Sequence, residues 1–215
     1  MRFLESDDDY AGVAPFFDAV LGPFLSVVQN EVRRKMERLG VRNALDICCG
    51  TGSQVRLLAD SGIGAFGIDR STAMLEVAWR KSRGNIPLVR GDARSLPFRD
   101  GAFEGALISL ALHENEPEVR QAMMREAMRI LCPQGILLVV DHLTPHRATC
   151  GAAALGVRGV EWMAGKRHYM NFKDFVERGG LLGVLQNRSL CILDVKPLWF
   201  GVIGLAACRK VESAS

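Results

Sequence analysis

The chain has 215 residues, 48% of them hydrophobic and 24% charged, enough to bury one substantial core and not calling for a second. A formal net charge of +3 gives no electrostatic reason to expect nucleic acid or an anionic membrane as the main partner. Six cysteines without CxxC spacing, no charged-then-apolar leader and no apolar run of spanning length point to buried free thiols, a cytoplasmic setting and no membrane insertion.

In chain order, apolar residues recur at three and four from Pro15 to Leu39, predicting helical segments interrupted near Gly22-Pro23. The cluster Arg33, Arg34, Lys35 and Arg38 is interleaved with Glu31 and Glu37 and reads as a solvated helix face. Strand-like runs then alternate with helices. Ala44 to Cys48 precedes a helix from Ser53 to Ser61 stopped by Gly62, and Gly64 to Ile68 precedes a helix capped by Ser71 and stopped by Gly84. Pro87 to Arg90 and Phe103 to Leu110 follow, then a helix entered at Pro117 that ends before Pro133-Gln134-Gly135, then the apolar strand Ile136 to Asp141. This alternation specifies a doubly wound α/β fold with a mostly parallel sheet. After an irregular section, His142 to Met170, come a helix from about Lys173 and two strand-like runs, Leu190 to Val195 and Phe200 to Cys208. Their short connector implies a hairpin, so the last of seven strands is expected to be antiparallel.

Ligands of such sheets lie at the carboxyl ends of the strands, so the polar residues there carry the chemistry. Asp46 ends the first strand and runs into Cys48-Cys49-Gly50-Thr51-Gly52, a turn of small residues that lets a ligand approach the backbone. Asp69 ends the second strand and Asp92 follows the third. Three carboxylates would repel a pyrophosphate, while they can accept from ribose hydroxyls, an amino group or an adenine N6. A dinucleotide fingerprint also requires a third glycine where Val55 stands. A cationic, phosphate-free nucleoside fits these residues, and S-adenosylmethionine is such a molecule.

The acid before the glycines resembles motif I of the class I S-adenosylmethionine-dependent methyltransferases. Across nearly its whole length the chain resembles the ubiquinone/menaquinone-biosynthesis-type C-methyltransferases. The resemblance implies a Rossmann-like single methyltransferase domain over residues 1–215, with an N-terminal helical cap (1–40) and a substrate lid between strands 5 and 6 (142–172). It implies that Gly50 and Gly52 pass under the methionine moiety near Asp46, that Asp69 takes the ribose hydroxyls, and that Arg70 and Met74 flank the adenine. Asp92 and the Ala93 amide would address the adenine edge. Tyr10 to Asp18 resembles the family's closing segment, which adds Tyr10 and Phe17 to the cofactor side, Phe17 standing where tyrosine is commoner. Cys48 stands where a first glycine is commonest, and Arg70 replaces an apolar residue.

Methyl transfer from a sulfonium needs alignment above all, and a base only where the acceptor carries a proton. Ser109 to Asn115 follows the fourth strand and should run beside the methyl group. His113 is the candidate base with Glu114 to orient it, although Glu114 can equally cap the helix entered at Pro117. His142, Trp162 and Tyr169 are candidates for a small, aromatic or isoprenoid-like acceptor. His142, His146 and Cys150 recur at four, but Pro145 breaks the helix that a metal stripe would need, so no metal is expected. Two other readings stand beside this one: a non-catalytic binder of S-adenosylmethionine or S-adenosylhomocysteine, and a nicotinamide-dependent oxidoreductase, which Val55 and Asp92 disfavour.

Overall fold

Short runs too brief for helices become the strands, mostly buried except in the outer strands Leu88–Arg90 and Leu190–Leu198, and the capped amphipathic stretches between them become the helices. In the computed structural model, which describes residue 8 and residues 10–144, 166–186 and 190–211, the strands are β1 (Asn43–Ile47), β2 (Gly64–Asp69), β3 (Leu88–Arg90), β4 (Phe103–Ser109), β5 (Leu131–His142), β6 (Leu190–Leu198) and β7 (Ile203–Lys210). The helices are α1 (Phe17–Arg38), α2 (Ser53–Asp60), α3 (Thr72–Ser82), α4 (Pro117–Ile130), α5 (Lys166–Glu177) and α6 (Gly180–Val184). The strands take the order β3-β2-β1-β4-β5-β7-β6, with β1, β2 and β3 parallel to one another, β4 parallel to β5, and β7 antiparallel to both β5 and β6, the Rossmann-like arrangement expected from the alternation. No helix of the described residues is long and apolar enough to cross a membrane.

The chain divides into two compact units, Met1–Ala93 and Arg94–Ser215. In the first, β1, β2 and β3 pair in parallel, with Ile47 beside Ile68 and Asp69 beside Arg90, so the acids Asp46 and Asp69 belong to the same end of the sheet. Val55 and Leu58 of α2 are fully buried. Close approach to β2 depends on Gly67, where a Cβ would come within 2.8 Å of both Cys49 Sγ and Leu88 Cδ2. The hydroxyl of Ser71 accepts from the Met74 amide at 3.1 Å and starts α3, as expected.

In the second unit, β5 is buried from Ile136 to His142 between parallel β4 and antiparallel β7. Pro117 at the start of α4 and the buried face Met123, Met124, Ala127 and Met128 account for that helix.

Several boundaries differ from expectation. The first helix is continuous from Phe17 to Arg38 with Pro23 inside it. The proline removes one hydrogen bond in the second turn, while the fully buried Val32 and Met36 and the nearly buried Val28 secure the turns that follow. β5 starts at Leu131, before Pro133. Phe103 pairs with Leu131 and Gly105 with Ile136, so residues 132–135 bulge out of the ladder, with Gln134 at φ 61°. Phe200 lies in the 3-10 connection Trp199–Gly201 rather than in β7. Of the expected lid, His142 closes β5 and residues 166–172 are helical, while 145–165 lie outside the described residues.

Candidate functional site

The first cluster belongs to the unit Met1–Ala93. After β1 the chain turns through Cys48 at φ 62°, Gly50 at φ 52° and Gly52 at φ 69°, and the Cys49 amide donates to the Ile68 carbonyl at 3.0 Å, which hangs the turn on β2. The two glycines have different reasons to be glycine. A Cβ on Gly52 would stand 3.0 Å from Ala78 Cβ and Ile86 Cδ1, so this residue lets α3 pack against the turn; a Cβ on Gly50 would meet nothing within 4 Å. Open space lies over Gly50, the place for a ligand to lie against backbone. Cys48 holds a left-handed conformation with a side chain, which explains why glycine suits that position best.

The Gly50 amide donates to Asp69 Oδ2 at 2.8 Å, and the Ser71 amide donates to Oδ1 at 2.9 Å. Burial raises the Asp69 pKa even against those two donors and Arg70. Asp46 is 3% exposed, and no hydrogen bond from any described residue reaches its carboxylate. Burial and the charge of Asp69 push its pKa up to about 8. A buried carboxylate without donors, beside a second carboxylate, is a site that favours a cation. Arg70 is exposed, Met74 is buried, and Asp92 and Ala93 are half-buried just past β3.

The segment before α1 is fastened to this cluster. Ala14 is buried with Met74 and Val77, and Tyr10 and Phe17 pack against them, which brings the two aromatic residues to Met74. Two carboxylates that the sequence reading did not single out hold the segment in place. Asp8 accepts from the Ser71 hydroxyl at 2.8 Å and from the Ala73 amide at 3.0 Å, at the start of α3. Burial raises the Asp8 pKa, but these donors outweigh it and the net direction is down. Asp18 accepts from the Thr51 hydroxyl at 2.8 Å and pairs with Lys81, whose ammonium also donates to Ser53 Oγ at 2.8 Å.

The second cluster belongs to the unit Arg94–Ser215. Ser109 ends β4, half-buried, and Leu110 at φ 54° turns the chain so that the amides of Leu112 and His113 point to Asp141 at 3.1 and 3.3 Å. Asp141, fully buried, also accepts from the His142 amide at 2.7 Å and stands 2.8 Å from His113 Nδ1. Burial raises its pKa, but His113 and the surrounding donors win, and the carboxylate is held below its ordinary range. Beside an ionised carboxylate, Nδ1 is the protonated nitrogen, because only a donor makes that bond. Asp141 is therefore hydrogen-bonded to the His113 ring, and the Glu114 carboxylate also comes within 4.8 Å of a His113 ring nitrogen. Glu114 is half-buried, and its carbonyl accepts from Asn171 Nδ2 at 2.7 Å.

Around His113 stand His142 at 4.7 Å, His168 at 5.7 Å and Phe172 at 6.1 Å between ring centroids, all edge-on. His142 also meets the ring of Phe172 edge-on, at 5.0 Å. Tyr169 is half-buried on α5 and makes no hydrogen bond or ring contact among the described residues; Trp162 lies outside them. Arg120, 3% exposed, joins α4 to α5, donating to the Leu112 carbonyl at 3.0 Å, Asp174 at 2.8 Å and the Asn171 carbonyl at 2.6 Å while lying over the Phe175 ring. An arginine at an amphipathic helix position carries no signal of burial, which is why Arg120 and Asp174 escaped the sequence reading.

Residues 45–139 match the family model described as a methyltransferase domain. The chain is 35% identical over 150 residues to a demethylmenaquinone methyltransferase of Beutenbergia cavernae, covering 65% of this chain and 61% of that protein. With a demethylmenaquinone methyltransferase of Staphylococcus aureus it shares 38% over 136 residues, 58% of this chain and 55% of the other. It thus spans little more than half the length of these curated relatives. In fold it is similar to a SAM-dependent methyltransferase from Methanosarcina mazei, with TM-score 0.60 and 21% identity over 80% of this chain and 93% of that one.

Proposed function

We propose that the chain is a class I S-adenosylmethionine-dependent methyltransferase that moves the methyl group of S-adenosylmethionine to a small organic acceptor, at carbon of an aromatic or quinone-like ring. The observation that carries the reading is Asp46, buried, without donors among the described residues and next to Asp69, on the turn where the space over Gly50 is open. A cationic cofactor supplies the charge that this carboxylate pair lacks, and a neutral or anionic one does not. Asp46, Cys48, Gly50 and Gly52 would hold the methionine half. Asp69 retains acceptor capacity for ribose hydroxyls beyond its two amide bonds. Arg70, Met74, Asp92 and Ala93 would serve the adenine, and Tyr10 and Phe17 would cover it. When bound, S-adenosylmethionine supplies an electrophilic methyl group.

His113 is suited to removing a proton from the acceptor. With Nδ1–H on Asp141, the lone pair is on Nε2, and the buried carboxylate stabilises the imidazolium that forms. Asp141 itself stays ionised, as its depressed pKa requires. The edge-on rings of His142, His168 and Phe172 offer a dry wall for a flat acceptor, with Tyr169 and Trp162 as further candidates. The demethylmenaquinone for which the curated relatives are named belongs to that chemical class.

The test is a thermal shift against S-adenosylmethionine, S-adenosylhomocysteine and NAD(H), followed by methyl transfer to quinol-like acceptors. The first two ligands are expected to raise the midpoint. Stabilisation by NAD(H) alone would overturn the reading. S-adenosylmethionine binding without turnover on any acceptor would favour a non-catalytic binder.

A further inference from the structure

The turn that carries Gly50 is braced from outside by an ion pair. Asp18 stands in the first turn of α1, and its carboxylate accepts from the Thr51 hydroxyl at 2.8 Å and the Ser53 hydroxyl at 3.4 Å. Lys81, in the last turn of α3, pairs with the same carboxylate and donates to Ser53 Oγ at 2.8 Å. Side chains from two helices thus converge on the residues that flank Gly52. Gly52 has no side chain with which to cap α2, and the first turn of α2 holds no acid, so the carboxylate at that helix start comes from Asp18.

Charge matters here as much as geometry. Asp46 and Asp69 on the same turn favour a cation. Asp18 is the carboxylate that Lys81 meets among the described residues, and without it the ammonium would oppose a cation beside the turn. A carboxylate at Asp18 without Lys81 would add one more negative charge. Paired, the two fix Thr51 and Ser53 and add no net charge. We propose that Asp18 and Lys81 are positioning residues whose mutual neutrality preserves the preference of this turn for the cationic methyl donor over its uncharged product. The proposal rests on the reading of Asp46 to Gly52 as the S-adenosylmethionine site.

S-adenosylmethionine carries a sulfonium, and S-adenosylhomocysteine has the same nucleoside and amino-acid parts without that charge. Packing and hydrogen bonds that shape the turn act on both ligands alike, whereas a fixed charge acts on the difference between them. A product held less firmly than the donor vacates the site for the next turnover. Lys81 and Asp18 are 32% and 31% exposed, so salt screens part of their field.

The test measures the affinity of the full chain for both ligands by calorimetric titration at low and high salt. In Asp18→Asn the amide oxygen can still accept from Thr51 while Lys81 is left unbalanced. The ratio of S-adenosylmethionine to S-adenosylhomocysteine affinity should then fall roughly threefold to tenfold at low salt and recover toward the wild-type value at high salt. Lys81→Met should raise the ratio by a similar factor, and Lys81→Arg, which keeps the charge, should leave it unchanged. The double variant Asp18→Asn/Lys81→Met should return the ratio to within about twofold of the wild type even where both affinities drop. Thermal melts without ligand report whether each variant is folded, and Lys81→Gln replaces Lys81→Met if the latter is not. Equal changes for the two ligands in Asp18→Asn and in Lys81→Met would reduce the pair to a brace and overturn the proposal alone. A wild-type chain that binds neither ligand overturns the cofactor reading together with it.

Discussion

Asp46 and Asp141 are both buried carboxylates at strand ends, yet their environments drive them in opposite directions. Asp141 gathers three backbone amides and an imidazole N–H and is held ionised. Asp46 gathers none among the described residues, faces Asp69 and is pushed up to about 8. Burial is common to both, so the number of donors decides the sign. The satisfied carboxylate organises its own surroundings, and the unsatisfied one is a vacancy in charge that a cation can fill.

Removing each carboxylate separates these roles. Asp141→Ala strands four buried donors and should cost about 3–5 kcal/mol in urea unfolding, the scale of breaking a buried charged pair. A loss below about 1 kcal/mol would show that water replaces the carboxylate and that the contrast is false.

Asp46→Asn should leave stability within about 1 kcal/mol at neutral pH, yet weaken S-adenosylmethionine by roughly tenfold to a hundredfold in calorimetric titration. Its pH dependence is a second test. The folded pKa of about 8 lies above the unfolded value of about 3.9, so this group's contribution to stability is fully present below pH ~4 and is lost as pH rises through about 8. Chemical denaturation across that window should show a downward slope in the wild type that the asparagine variant lacks. Equal slopes would mean that Asp46 titrates normally. For Asp141 the sign reverses: its folded pKa is depressed, so the stability it brings is present above the unfolded value and is lost as pH falls through the folded one.

The smallest effect belongs to the backbone. Cys48→Gly relieves a left-handed residue and should stabilise by about 0.5–1 kcal/mol after the entropy cost of glycine, read as a small rise in Tm. A fall in Tm would show that the thiol packs more usefully than the strain costs.

The inner part of the sheet was legible in the sequence because β4 and the core of β5 are near-continuous apolar runs bounded by glycine, proline or a cap, and such runs have few other ways to bury themselves. The acids at 46, 69 and 92 were legible for the same reason, since strand ends can be counted. That Asp141 bonds His113 was not, because it lies 28 residues away in sequence and arrives by strand pairing. Nor was the difference between Gly50 and Gly52, two residues apart in one turn, since only the atoms of α3 and Ile86 distinguish packing from open space. The continuity of α1 through Pro23 was missed because a proline's local penalty was set against no knowledge of what Val28, Val32 and Met36 would bury.

The family model begins at residue 45, yet the turn it contains is completed by side chains that precede it. Asp18 occupies the hydroxyl of Thr51 and neutralises Lys81, Asp8 occupies that of Ser71, and Ala14 fills the space against Met74 and Val77. A protein trimmed to the recognisable homologous region would return those hydroxyls and an ammonium to water and uncover Met74. The portable unit of this fold therefore starts no later than Asp8, some 37 residues upstream of where homology becomes visible.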